Sequence, residues 1–117
     1  MEIEFLELSA SNSPVKNFLS SLSPKVHKKV LRNLEMIGSY PPAQVLHLKI
    51  FDKVTGYEKY NLYEFRTRFH NTQCRVLCCV LDSTIYLIHG FIKKSPQLPK
   101  SEIETAVQRI KLYLLTP

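Results

Sequence analysis

Seven side chains in the second half of the chain are of types that handle phosphate: Glu64, Arg66, Arg68, Arg75, His89, Lys93 and Lys94. Guanidinium and ammonium groups donate to phosphoryl oxygens and stabilise the charge that builds up in a pentacovalent transition state. A histidine or a carboxylate beside them can carry the proton. Glu64, Arg66 and Arg68 alternate, so they share one face of a strand. Arg75 and His89 fall on the next two predicted strands, and Lys93-Lys94 lie just past the end of the last. Each also has a plain structural reading. Glu64 can be spent on an arginine, and the lysines can be solvated. By strand parity His89 goes with Leu87 and Phe91, and a histidine on an apolar face is more often packed and hydrogen-bonded than catalytic.

The charge distribution points the same way. The chain has 117 residues with 16 Lys/Arg against 10 Asp/Glu, a formal charge of +6. Residues 45–100 hold nine bases and four acids, whereas residues 1–44 are nearly balanced and residues 101–117 are neutral. A basic middle implies an anionic partner, nucleic acid or an acidic protein, or else a solvated basic face. Several chemistries lack their signatures. Three glycines, Gly38, Gly56 and Gly90, do not make a phosphate-binding loop. There is no nucleophile elbow. Carboxylates are too few in the basic region for a two-metal nuclease, so phosphodiester chemistry here would use Arg, Lys, His or Tyr, with no metal and no cofactor. Cys74, Cys78 and Cys79 lie within six residues and match no zinc spacing. Unpaired, partly buried thiols in a reducing compartment are expected. The longest apolar run, Val76 to Leu81, is six residues, far short of a membrane span. The start, Met1-Glu2-Ile3-Glu4, is acidic and unlike a secretory signal. The expectation is a soluble cytoplasmic protein of one domain, residues 1–117.

The elements that must position these side chains can be read from periodicity. Ile3 and Phe5 alternate with Glu2 and Glu4, a short strand at or near a sheet edge. Ser13-Pro14 and Ser23-Pro24 each place a hydroxyl cap before a proline at the first helical position. Val15, Phe18, Leu19 and Leu22 then trace one helical stripe. Val26, Val30, Leu34 and Ile37 trace a second, with Leu31 beside it and Lys25, Lys28, Lys29 and Arg32 outside it. Gly38 and Pro41-Pro42 stop the second helix. From residue 45 the period becomes two, predicting strands over 45–50, 59–69, 74–81 and 84–92 joined by short turns, hence antiparallel. Ile103, Ala106, Val107, Ile110 and Leu114 mark a last helix starting near Pro99. The fold class is α+β, in the order β-α-α-β-β-β-β-α: an antiparallel sheet with an N-terminal helical hairpin and a C-terminal helix packed on it.

Four pieces occur in a telling order: Leu62-Tyr63-Glu64-Phe65-Arg66, Cys74-Arg75-Val76-Leu77, His89-Gly90-Phe91-Ile92-Lys93-Lys94, and Pro99-Lys100-Ser101-Glu102-Ile103 with Ala106. Together they resemble the RelE/ParE superfamily of toxins, and among these the phage-derived, HigB-type branch. The resemblance covers about residues 14–113. Phe65 stands for the usual leucine, Cys74 for the aromatic before the arginine, and Cys78 for a common tyrosine.

The resemblance implies a RelE-like fold and a type II toxin that cuts mRNA, often on the ribosome, without a metal, by attack of the RNA 2′-hydroxyl on the adjacent phosphate. It implies a co-encoded helix-turn-helix antitoxin as partner. Arg66 and Arg75 would hold or neutralise phosphate, Lys93 and Lys94 would do the same or help proton transfer, and His89 is the general acid or base candidate. Lys49, Lys53 and Arg68 are expected to contact RNA. The stretch 51–60 is longer than usual for these toxins, a hairpin tip suited to the ribosome or the antitoxin. The alternative on the same scaffold is a non-catalytic binding protein, a gyrase inhibitor of the ParE type or a phage-derived interaction module.

Overall fold

The computed structural model describes residues 1–115. Both serine caps form as expected. Ser13 Oγ accepts from Lys16 N–H and Ser23 Oγ from Val26 N–H, opening α1 (Pro14–Ser21) and α2 (Pro24–Gly38). Val15 and Leu19 of α1 and Val26, Val30, Leu34 and Ile37 of α2 are buried. Leu31 does not join that stripe and is exposed.

A five-stranded sheet is ordered β1-β5-β4-β3-β2, with β1 Glu2–Phe5, β2 Phe51–Lys53, β3 Leu62–Phe69, β4 Thr72–Leu81 and β5 Thr84–Ile92. Strands β2 to β5 form the expected antiparallel meander. The sheet is nevertheless mixed, because β1 runs parallel to β5, with Ile3 opposite Ile85 and Phe5 opposite Leu87. Two helices and the whole meander separate β1 from β5, and so long a crossover permits parallel pairing where a short hairpin would not. The N-terminal ammonium donates to the carbonyls of Gly38 and Tyr40, at 3.2 and 2.7 Å, and so fastens β1 to the end of α2.

The sequence misplaces the first meander strand. Residues 45–50 are not a strand. Pro42–Val45 is one helical turn, α3, and tight turns follow, with His47 N–H donating to Gln44 O, Leu48 N–H to Val45 O and Phe51 N–H to Leu48 O. Pro42 at the start of a helical turn sets this path, and the alternation Leu46, Leu48, Ile50 is too short to oppose it. Leu46 is left 44% exposed. The expected strand over 59–69 also begins late. Glu58–Tyr60 is a 3-10 turn that ends at Asn61 in the left-handed region (φ 51°), which asparagine tolerates better than most residues.

Each face of the sheet is covered. Helices α1 and α2 pack on one face against Phe65, Val76, Cys78, Ile85 and Leu87. The last helix, α4 (Lys100–Tyr113), packs on the other against Leu62, Leu77, Cys79 and Ile88 through Ile103, Ala106, Val107 and Ile110. Cys78 and Cys79 point to opposite faces, and all three thiols are buried and unpaired. Burial pushes each thiol up, Cys79 to about 11, so they stay protonated and inert.

A bulge in the β4–β5 register lies between Leu77 and Cys78: Leu77 faces His89, but Cys78 faces Leu87. Ile88 is the extra residue. It breaks the parity that placed His89 with Leu87. Leu87 packs under the helical hairpin, whereas Ile88 and Phe91 belong to the α4 side, where His89 also meets its partners from α4. Gly90 then faces α1, where a Cβ would sit 2.3 Å from the Phe18 ring. Only glycine lets that ring lie against the strand.

Candidate active site

Alternation along β3 and β4 builds the site. Glu64, Arg66 and Arg68 share the α4 side of β3, and Gln73 and Arg75 share that side of β4. Arg66 is the direct cross-strand partner of Arg75, and Arg68 of Gln73. The core contacts of α4 on this face run over Leu62, Leu77, Cys79, Ile88 and Phe91. The C-terminal end of β3, the start of β4 and the end of β5 lie at one end of the sheet. There Lys93 N–H donates to Gln73 O at 2.8 Å.

Arg75 is the buried member, 7% exposed, with Glu64 9% exposed beside it. Arg75 Nε lies 3.2 Å from Glu64 Oε2 as an ion pair off the hydrogen-bond direction. Its other nitrogens donate to Gln73 Oε1 at 2.9 Å and to Cys74 O at 3.2 Å. Burial lowers the Arg75 pKa, Glu64 opposes this, and the nearby Arg66 adds to the fall. A guanidinium so placed remains a cation. Arg66 is half-buried and donates to the backbone carbonyl of Lys49, while its own N–H reaches Ile50 O. The turns that replaced the expected strand thus hold Lys49 beside Arg66. Arg68 is exposed and donates to His70 O at 3.2 Å.

His89 is held on both sides. Nδ1 accepts from Arg109 at 3.1 Å, which leaves the proton on Nε2 to be donated to Glu102 at 3.2 Å. Arg109 also donates to Ile88 O. Burial depresses the His89 pKa, Glu102 raises it and Arg109 lowers it, with a net fall, so the imidazole is neutral near neutral pH. Its ring stacks on Phe91, centroids 5.9 Å apart, and Phe91 is the cross-strand partner of Arg75. The bulge and α4 therefore place the His89–Phe91 stack next to Arg75 in the sheet.

Beyond β5 an open groove of about 640 Å³ is lined by Asn71, Thr72, Gln73, Lys93, Lys94 and Ser95 among others. Of the residues singled out from sequence, Arg66, Arg75, Arg68, Lys49, Lys93 and Lys94 gather at this end of the sheet. Lys53 does not. It pairs with Tyr63 toward the far end of β3, on the face opposite Arg66. Four further side chains belong here that sequence pattern alone does not assign to the site. Gln73 lies two residues before Arg75 and was readable by alternation once β4 is started at Thr72. Glu102 and Arg109 stand seven apart, on one face of a helix beside its apolar stripe. Asp52 lies opposite Glu64 on β2, beyond the strand over 45–50 that the alternation predicts. Among the described residues no His, Cys, Asp or Glu cluster could hold a metal ion, and no helix is long and apolar enough to cross a membrane.

Residues 17–111 match the family model described as "Phage derived protein Gp49-like (DUF891)". The chain belongs to the Gp49-like family. This is a family of RelE/ParE-like toxin type, and the α+β architecture, with its helices on the two faces of a five-stranded sheet, agrees with a RelE-like fold. No curated protein matches this Gp49-like chain. The match spans α2 to α4, and so includes Arg66, Arg75, His89, Lys93 and Lys94.

Proposed function

We propose that this Gp49-like chain is the toxin of a type II toxin–antitoxin system, of the HigB-like kind. In this proposal it is an endoribonuclease that cuts mRNA, in association with the ribosome, and so stops translation in the cytoplasm. The observation that carries this is the cross-strand pair of half-buried Arg66 and buried Arg75, at the end of the sheet where Gln73, Lys93 and Lys94 line an open groove. Cations there outnumber carboxylates, and the one carboxylate in contact, Glu64, is spent on Arg75. Such a surface suits a phosphodiester whose charge rises during reaction.

In the proposed reaction the RNA 2′-oxygen bonds to the adjacent phosphorus and the bond to the 5′-oxygen breaks. The products are a 2′,3′-cyclic phosphate and a free 5′-hydroxyl. The proton lost from the 2′-hydroxyl and the one gained by the 5′-oxygen balance. Lys93 and Lys94 would meet the phosphoryl oxygens and supply a proton to the leaving oxygen, and Arg66, which spends one N–H on Lys49 O, has others left for phosphate. Arg75 sits behind them, fixing the local potential through Glu64 and Gln73. His89 has both ring nitrogens engaged, so its part is to position Phe91 and Arg75 rather than to relay protons. A helix-turn-helix antitoxin encoded beside the toxin is the proposed neutralising partner.

One observation favours a second proposal. The nitrogens of Arg75 are all turned toward protein atoms, as in a structural ion pair, which suits a binding protein with no turnover. Primer extension on cellular mRNA after induction separates the two. The nuclease produces new 5′ ends and growth arrest, and Arg66→Ala abolishes both while its circular dichroism stays that of the wild type. Intact mRNA around a folded, growth-arresting protein would leave only the binding protein.

A further inference from the structure

On the opposite side of the sheet α2 carries a second basic groove. Lys25, Lys28, Lys29, Arg32, Asn33 and the ring of Phe69 enclose about 560 Å³. The four cations recur at helical spacing over eight residues, about 10 Å of helix, or roughly three nucleotides of stacked strand. Two groove members are anchored to the meander. Lys29 Nζ donates to Arg68 O and lies over the Phe69 ring, and Asn33 donates to Thr67 Oγ1 at 3.2 Å. Among the described residues no carboxylate pairs with Lys25, Lys28 or Arg32. The groove is therefore a wall of unneutralised charge with an aromatic ring in it.

Its position matters as much as its charge. Phe69 ends β3, and His70 and Asn71 turn the chain into β4, with His70 in the left-handed region (φ 54°) and edge-on to Phe69 at 4.5 Å. Asn71, Thr72 and Gln73 then wall the Lys93/Lys94 groove. The hairpin tip is thus a ridge shared by both grooves. No acidic residue occurs between Glu64 and Asp82.

We infer that the α2 groove is a binding site for single-stranded RNA, with a base stacked on Phe69 and backbone phosphates along Lys25, Lys28 and Arg32, continuous over the hairpin tip with the Lys93/Lys94 groove. Bases stack on an accessible ring face while neighbouring cations follow the backbone, which is how sequence-tolerant strand binding works, and half-buried Phe69 offers part of its ring to the groove. An acidic polypeptide would satisfy the charges but has no use for the ring. The choice of RNA rests on the proposed nuclease function, but binding at the groove does not require catalysis.

The test uses a fluorescent 12-nucleotide 2′-O-methyl RNA strand, which lacks the attacking hydroxyl and so reports binding apart from cleavage. Anisotropy titrations of the full chain are run at several salt concentrations. Replacing Lys25, Lys28 and Arg32 by alanine is expected to weaken binding at least tenfold at low salt. It should also flatten the log–log salt slope by about 2, since each phosphate contact on a single strand contributes roughly 0.7. Phe69→Leu, which keeps an apolar side chain on the half-buried site, is expected to cost about fivefold on the RNA strand and nothing on inorganic polyphosphate, which has no bases. Unchanged affinity in the triple variant overturns the inference. So does a silent Phe69→Leu together with polyglutamate competing as well as RNA, which would mark a surface for acidic protein. If the triple variant loses the strand but no preparation of the chain cuts RNA, the nuclease proposal falls and this site stands.

Discussion

At the scale of single residues, Arg75 and Glu64 are bound to one another's fate. Both are buried, and removing one partner leaves the other charge uncompensated. Arg75→Ala is expected to lower stability by about 3–5 kcal/mol in urea unfolding, and combining it with Glu64→Gln should return part of that loss. Loss of toxicity in Arg75→Ala alone would therefore say little about chemistry, which is why Arg66 is the sharper probe. His89 gives a second expectation. Its pKa is depressed in the fold, so below the unfolded value of about 6.5 the unfolded chain binds more protons than the native one. Stability should accordingly fall as pH drops from about 6.5 toward the lowered folded value, and should be insensitive to this group above it. Urea midpoints between pH 5 and 7.5 check this. His89→Gln is expected to shift the whole curve down and to flatten its acid side, and an unaltered slope in that variant would dissociate the effect from His89.

At the scale of elements, the bulge in β5 and the seat of α1 on Gly90 decide where side chains face. A Cβ at residue 90 would meet the Phe18 ring at 2.3 Å, so Gly90→Ala is expected to destabilise by about 1–3 kcal/mol through overpacking. Phe18→Leu in the same chain should recover part of it, as a double-mutant cycle in urea would show. The helical hairpin was legible because its signals are local. Serine, then proline, then an apolar residue every three or four positions needs no distant partner to be read. The segment 45–50 was not legible because two patterns overlapped. A short alternation suited a strand, while Pro41-Pro42 and the hydrogen bonds of successive turns suited a helical turn, and edge position in the sheet left only residues 51–53 with a strand to pair with.

At the scale of the whole molecule, the net +6 is sorted in space as well as along the chain. Arg66 and Arg68 on the α4 face, the α2 lysines on the opposite face, and Lys93 and Lys94 past β5 converge on one end of the sheet. Lys93 and Lys94 extend past β5 in the groove wall, the former half-buried and the latter exposed. Replacing both by alanine should move the urea midpoint by less than about 0.5 kcal/mol equivalent, as for most surface changes, yet reduce RNA cleavage by tenfold or more in a purified assay. A cleavage rate equal to wild type would remove the lysines from the proposed reaction.

By itself the sequence determined the order of the longer elements, the caps, the three helical stripes, the meander strands 62–69, 72–81 and 84–92 to within a few residues, and the grouping of Glu64, Arg66 and Arg68 on one face. These follow from local periodicity and from turn chemistry, which act over a few residues. Only the tertiary structure decided that β1 pairs parallel to β5, that Arg66 stands opposite Arg75, that Lys53 lies away from them, and that His89 is clasped between Glu102 and Arg109. Register, bulges and helix docking depend on which surfaces bury together across the chain. A single extra residue in β5 reverses the parity that any local pattern assigns to His89.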